Sequence, residues 1–218
     1  MANKGIQPTD ELLAYVLEHS IPRREVHRRL VAETEERLGD TSRMQISEEQ
    51  GPLLTFLARL VGARQAVEVG TFTGLSALCI AEGLADGGRL TCFDLSEEWT
   101  TIGRPYWEEA GVADRIELVL GPAAQTLAAR TFDPPVDFAF LDADKGGYLT
   151  YLELLLERMR PGSLIVVDNA LYGGAVLDPS AEGNPAEIRR FNDEVASDER
   201  VDATLVNVGD GLMLLRVR

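Results

Sequence analysis

Short runs rich in β-branched and apolar residues alternate with helical segments through most of this chain. That alternation limits the possible folds more than any other feature. Ala66-Val-Glu-Val-Gly70 is a β-rich run, and a helical pattern follows from Gly74 to Leu84. Arg89-Leu-Thr-Cys-Phe-Asp94 reads as the next strand and Glu97 to Ala110 as the next helix. The pattern continues with strands at Arg115–Leu120, Val136–Leu141 and Ser163–Val167, separated by helices near Ala123–Ala129 and Tyr148–Met159. Strands spaced in this way are joined by crossover helices, which gives parallel pairing and a sheet covered on both faces. The ending differs. After a helix near Ala186–Ala196, the runs Val201–Val208 and Gly211–Val217 flank Gly209-Asp210, a hairpin signal that predicts a closing antiparallel pair. The expected class is α/β.

Ahead of this core the first nine residues are polar and expected to fray. Asp10–Glu18 and Arg23–Leu38 read as helices, broken apart at Ser20-Ile-Pro22. Ser47-Glu-Glu-Gln50 has the spacing of a capping box opening an apolar helix that runs to about Val61. A length of 218 residues suits one α/β domain, read as a helical cap over 1–45 and a core over 46–218. With 21 basic against 36 acidic residues, the net charge is −15. Such a surface repels phosphate backbones and anionic lipid, which argues against nucleic-acid and membrane partners. It also disfavours a polyanionic substrate such as a CoA thioester unless a local basic patch compensates. No apolar run reaches the ~18 residues needed to span a bilayer, and no signal-peptide core is present. Cys79 and Cys92 sit in apolar segments and form no disulfide framework, so a reducing cytoplasm is the expected location.

In an open α/β sheet, ligands gather beyond the carboxyl ends of the strands. The first strand ends in Glu68-Val-Gly-Thr-Phe-Thr-Gly74, where Phe72 replaces the glycine that would let a pyrophosphate approach. Such a turn suits a nucleoside without phosphates, of which S-adenosylmethionine is one, or it is only a tight turn. Asp94 ends the second strand, 24 residues after Gly70. It is placed either to accept hydrogen bonds from ribose hydroxyls or to cap the next helix. Phe140-Leu-Asp-Ala-Asp-Lys145 and Ile165-Val-Val-Asp-Asn169 set Asp142, Asp168 and Asn169 at two strand ends. Neighbouring strands are about 4.8 Å apart, so these oxygens could converge on one ion. Hard oxygen donors select Mg²⁺, Mn²⁺ or Ca²⁺ over zinc. Lone acids at strand ends often merely cap helices, but two with an attached Asn fit a cation better. Lys145 follows Asp142 by three residues. An ammonium beside a dication gives up its proton more easily, making Lys145 a candidate general base; a solvated partner for Asp144 is the alternative.

These residues carry a resemblance. Met44-Gln-Ile-Ser47, Val67-Glu-Val-Gly-Thr-Phe-Thr-Gly-Leu-Ser76, Leu141-Asp-Ala-Asp-Lys145, Val167-Asp-Asn169 and Gly209-Asp-Gly211 closely resemble the cation-dependent class I O-methyltransferases. That family includes caffeoyl-CoA and catechol O-methyltransferases and their bacterial relatives. The resemblance implies a Rossmann-like seven-stranded sheet, a homodimer, and amino-terminal helices that help cover the active site. It implies Asp142, Asp168 and Asn169 as metal ligands, with Mg²⁺ favoured, and Lys145 as catalytic base. Glu68, Gly70, Thr71, Phe72 and Ser76 fall on the S-adenosylmethionine loop and Asp94 on its ribose. Ala123 matches the adenine side, Asp144 the methionine moiety, and Met44 and Ile46 line the cofactor. Tyr172 stands where an aromatic residue usually borders the acceptor ring. Gly146-Gly147 and Leu75 depart from the usual residues, which leaves the plant-type phenylpropanoid acceptor unsettled.

The expected activity is methyl transfer to a hydroxyl of a small hydroxylated aromatic, with a non-catechol natural-product hydroxyl as the alternative. Three other readings are weaker. A nicotinamide-dependent reductase would need the phosphate-cradling glycines and a Tyr-x-x-x-Lys pair, and Tyr148-x-x-Tyr151 lacks the lysine. A non-catalytic S-adenosylmethionine-binding protein would not need the acids. An RNA methyltransferase would need a basic arm.

Overall fold

The residues that alternate along each strand must find cover on two sides, and helices supply it. The computed structural model describes Ile6 and residues 9–218, so the stretch expected to fray lies mostly outside the described residues. Two helices, α1 (Asp10–Glu18) and α2 (Glu25–Leu38), lead through a 3-10 turn at Gly39–Met44 to α3 (Gln50–Val61). The core then runs β1 (Gln65–Val69), α4 (Leu75–Gly83), β2 (Arg89–Asp94), α5 (Glu97–Ala110) and β3 (Ile116–Leu120). It continues through α6 (Ala123–Ala128), β4 (Val136–Leu141), α7 (Tyr148–Leu156) and β5 (Met159–Val167), and ends with α8 (Asn184–Ser197), β6 (Val201–Val206) and β7 (Leu212–Val217).

The seven strands lie in the order β3-β2-β1-β4-β5-β7-β6. Contacts among β1 to β5 are parallel, and β7 runs antiparallel to both β5 and β6. This is the α/β, Rossmann-like sheet with a closing hairpin that the sequence predicts. Every residue of β4 is buried, and its side chains divide by the two-residue period. Phe138 and Phe140 join Leu54, Leu78 and Ile80 in one core. Ala139 and Leu141 join Tyr148, Leu155 and Ile165 in the other. Full burial of each phenylalanine stabilises by roughly 1.5–3 kcal/mol, and a one-residue slip would exchange the two faces. The order of strands reverses between β1 and β4, so the crossovers leave in opposite directions there and open a cleft at the carboxyl ends.

Three local expectations change. β5 begins at Met159, not Ser163, because Pro161-Gly162 forms an irregular start where the register against β4 shifts between Val136 and Phe138. The missing N–H of Pro161 hides this strand from a propensity reading. The capping box at α3 is half formed: Gln50 Oε1 accepts from Ser47 N at 2.6 Å, while the Ser47 hydroxyl has no partner. The cap of α5 is Ser96, whose hydroxyl accepts from Trp99 N at 3.1 Å, so Asp94 is not that cap.

The amino-terminal helices pack unequally on this core. α1 buries none of its residues. α2 inserts Val26 and Leu30 into the core and props the far side of the β1–α4 turn, where Thr34 Oγ1 donates to Thr73 Oγ1 at 3.0 Å. Among the described residues no helix is long and apolar enough to cross a membrane. Both cysteines are buried and free.

Candidate active site

The cleft at the switch point is a cavity of about 530 Å³, within the usual range for small-molecule sites. Its floor is the turn after β1. Gly70 has φ +87°, and a Cβ there would lie 2.4 Å from the Asp142 carbonyl oxygen. The β1 and β4 turns therefore touch backbone to backbone, which only glycine permits. Gly70→Ala is expected to destabilise the fold by roughly 2–4 kcal/mol, combining left-handed strain with overpacking. A urea midpoint equal to that of the parent chain would contradict this close approach.

Asp94 ties the turn to the next helix. Its Oδ2 accepts from Thr71 N at 2.8 Å and Phe72 N at 2.9 Å, and its Oδ1 accepts from Ser96 N at 2.7 Å. An ionised carboxylate has about four acceptor positions, so one remains for a ligand hydroxyl. Phe72, itself at φ 51°, sets its ring edge-on to Trp99 at 5.2 Å. Both rings, with the small side chain of Ala123, line the cavity. Trp99 went unnoticed in the sequence, where it is one helical residue among fourteen in α5.

Glu68 lies beneath the turn and not on the cavity wall. It is fully buried, and neither of its oxygens has a hydrogen-bond partner. Burial pushes its carboxyl up to about 7, an effect opposed by the nearby Ser76, Cys92 and Thr71. Thr71, Ser76 and Ile46 face a smaller adjoining hollow, and Thr71 Oγ1 is likewise without a partner. Met44, half-exposed, lines both spaces, and residues 43–46 form a strap along them. Among the described residues that precede α3, those of the strap line the cavity.

At the opposite end stand Asp142, Asp168 and Asn169. Burial raises the Asp142 carboxyl above the ordinary range, against the pull of Lys145. Burial, with repulsion from Asp142, pushes Asp168 up to about 7. Two carboxyls that resist joint ionisation are relieved by a cation between them. Asp168 Oδ1 accepts from Gln50 Nε2 at 2.8 Å and from Asn169 N at 2.7 Å, which leaves Oδ2 free. Asn169 Nδ2 donates to Asp210 Oδ2 at 3.2 Å, which leaves the amide oxygen available. Among the described residues no group of three or more His, Cys, Asp or Glu side chains is disposed to hold a metal. The donor set is therefore two carboxylates plus an amide, and it fits a hard cation completed by solvent or ligand oxygens.

Lys145 stands at this end with its Nζ 3.0 Å from Asp142 Oδ1 and 2.8 Å from the Tyr148 hydroxyl, to both of which it donates. The Tyr148 hydroxyl in turn donates to the Asp168 carbonyl at 3.2 Å. The solvated pairing with Asp144 is not formed. Asp144 Oδ1 instead accepts from the Tyr151 hydroxyl at 2.6 Å. Tyr172, at φ 46°, closes the wall with its hydroxyl accepting from Asn184 Nδ2 at 3.1 Å. Gln50, Trp99, Tyr148, Tyr151 and Asp210 are the site neighbours that single-residue reading missed, although the segment Gly209-Asp-Gly211 pointed to the last.

Comparison with known proteins places this geometry. Residues 17–218 match the profile of a family described as O-methyltransferase. Caffeoyl-CoA O-methyltransferase 2 of Zea mays is 34% identical over an alignment covering 99% of this chain and 86% of that protein. Among solved structures, the O-methyltransferase from Bacillus cereus in complex with SAH superposes with a TM-score of 0.86 at 32% identity, covering 95% of this chain and 97% of that one. TomG from Streptomyces achromogenes, an O-methyltransferase involved in tomaymycin synthesis and solved with SAM, also gives 0.86 at 32% identity, covering 95% and 96%.

Proposed function

The chain belongs to the O-methyltransferase family, and from that premise we propose that it methylates a hydroxyl of a small catechol-like or phenolic acceptor, using S-adenosylmethionine and a divalent cation. The observation that carries this reading is the pairing of Asp142 and Asp168 beside Asn169 and Lys145, at one end of a cavity whose other end suits a nucleoside. S-adenosylmethionine supplies the methyl group, and the cation, Mg²⁺ first and Mn²⁺ or Ca²⁺ as alternatives, supplies charge stabilisation at the acceptor oxygen.

The chain's own residues divide the work. Phe72, Trp99 and Ala123 hold the flat base, while Asp94 accepts from a ribose hydroxyl. Gly70, Thr71, Ser76, Met44 and Ile46 enclose the remainder, and Asp144, fixed by Tyr151, faces the methionine part. Glu68 lies buried beneath that loop and off the cavity wall. Asp142, Asp168 and Asn169 are the cation's ligands. Lys145, steered by the Tyr148 hydroxyl, takes the proton from the acceptor, and Tyr172 borders the acceptor ring. Holding the reacting atoms in line is worth roughly 7–11 kcal/mol in well-oriented pairs, so rigid walls matter as much as the base. The assembly is read as a homodimer, on family grounds.

The acceptor is read as lacking phosphates. The carboxylates Asp94, Asp142, Asp144 and Asp168 line the cavity, against only Arg43 and Lys145 among the described lining residues. Lys145 is bonded to Asp142, and Arg43 is 3.3 Å from Asp40. A catechol screen with S-adenosylmethionine, with Mg²⁺ or with EDTA, tests the proposal. Turnover is expected only with the cation, and a free catechol acid is expected to exceed its CoA thioester at least about tenfold in kcat/KM, equivalent to ~1.4 kcal/mol. A preference for the thioester would overturn the acceptor class, and full turnover in EDTA would overturn the cation.

A further inference from the structure

Gln50 is 2% exposed, and its carboxamide is used on both sides. Its Oε1 accepts from Ser47 N at 2.6 Å, and its Nε2 donates to Asp168 Oδ1 at 2.8 Å. The partners fix this orientation, since a backbone N–H can only donate and an ionised carboxylate can only accept. Ser47 ends the strap whose residues 43–46 line the cavity and its adjoining hollow, which Asp142 also lines. Asp168, at the end of β5, lines the same cavity.

The side chain is also confined. A Cβ at Gly209 would lie 2.9 Å from Gln50 Cδ and 2.8 Å from Ser47 Oγ, so the turn between β6 and β7 presses on both. Gly209 N donates to Glu49 Oε1 at 3.0 Å, fastening that turn to the start of α3. A buried carboxamide that released either partner would leave a polar group unpaired, at a cost of about 1–3 kcal/mol. Both hydrogen bonds and the close packing therefore hold the carboxamide in this one orientation.

We propose that Gln50 is a positioning residue that couples the cation site to the strap along the cavity wall, through one carboxamide bonded to Asp168 and to the Ser47 backbone. The proposal rests on Asp168 being a cation ligand. A cation held by Asp168 would restrain its carboxylate, keep Oδ1 toward Gln50 and so make the Ser47 bond open less often. Linkage would make the effect reciprocal, so a strap held down by bound S-adenosylmethionine would favour the cation-ready orientation of Asp168.

Hydrogen exchange of peptides spanning residues 43–49 in the full chain, with and without Mn²⁺, reads the coupling directly, because Gln50 is the hydrogen-bond partner of the Ser47 amide. Mn²⁺ affinity is followed separately by electron paramagnetic resonance. In the wild-type chain Mn²⁺ alone is expected to slow exchange in this segment. Gln50→Met keeps the length of the side chain and loses both hydrogen bonds. It is expected to weaken Mn²⁺ binding roughly 10–100-fold, the usual scale for a residue that orients a ligand, and to abolish the slowing at saturating Mn²⁺. Mn²⁺ that binds the wild-type chain without changing exchange overturns the coupling, whatever the fate of the variant. Unaltered affinity and slowing in Gln50→Met overturn it as well, with Asp168 left standing as a ligand. Absence of any Mn²⁺ binding to the wild-type chain removes the cation reading itself, and the coupling with it.

Discussion

Asp142→Ala is expected to lower kcat at least about 10³-fold and to abolish its dependence on Mg²⁺, while S-adenosylhomocysteine affinity stays within about threefold. The magnitude is that of removing a fixed group that stabilises charge developing in the transition state. Selectivity between the two effects follows from which atoms Asp142 uses. Its side chain meets Lys145 and the cation corner, whereas its backbone carbonyl forms the contact with Gly70 that shapes the cavity floor. Alanine keeps the second and loses the first. The fold should not suffer. Burial already raises the Asp142 carboxyl, and its charge is one cause of the upward displacement of Asp168. Deleting it removes a repulsion but also takes the carboxylate partner from the Lys145 ammonium, so the two effects oppose and the thermal midpoint of the variant without cation is expected to stay near that of the parent. Calorimetry with Mn²⁺ and S-adenosylhomocysteine in turn checks both halves. A variant that keeps Mg²⁺-stimulated turnover would remove Asp142 from the site.

The second large effect is expected at Lys145. Lys145→Met should reduce kcat at neutral pH by roughly 10²–10⁴-fold, the usual contribution of a positioned base. The sign of the pH response is fixed by the acceptor. A phenol with an ordinary pKa of about 10 is increasingly ionised as pH rises, so the variant should regain rate toward alkaline pH in proportion to phenolate. Because Lys145 also holds the Asp142 carboxyl down, removing it weakens the cation site, and the comparison belongs at saturating Mg²⁺. Tyr148 offers an internal check, since its hydroxyl retains the Asp168 carbonyl as partner when the lysine is gone. A pH–rate profile for the variant with the shape of the parent's would show that the lysine moves no proton.

The sequence disclosed those parts of this molecule that depend on local pattern. β2, α5 and β4 fall on the predicted residues because their apolar spacing is unbroken and their ends carry Gly or Asp. β5 was shortened because Pro161-Gly162 looks like a break, and only the neighbouring strand reveals it as an irregular start. Asp94 had two local readings, and the hydroxyl of Ser96 two residues on, a better-placed cap, removes the capping one. Gln50 shows the limit most clearly. Its spacing from Ser47 is that of a capping box and half of one is formed, but its amide nitrogen reaches a carboxylate 118 residues away. No window of sequence contains that pair. The same holds for Trp99 against Phe72 and for Asp210 against Asn169, which meet only after the sheet has assembled. Residues at strand tips were legible because topology gathers them; residues that orient them were hidden because packing does.

The position of β7 has a consequence for the order in which the enzyme matures. β7 lies between β5 and β6, and β6 pairs with no other strand. The hairpin must therefore dock as a unit onto the exposed side of β5, a slow step of high sequence separation. Its tip delivers Asp210 to Asn169 and Gly209 to Gln50. Until that pair docks, β5 is a raw edge open to wrong partners. Nucleoside capture should thus ripen early along the folding path, and competence for methyl transfer should arrive only with the final strand pair.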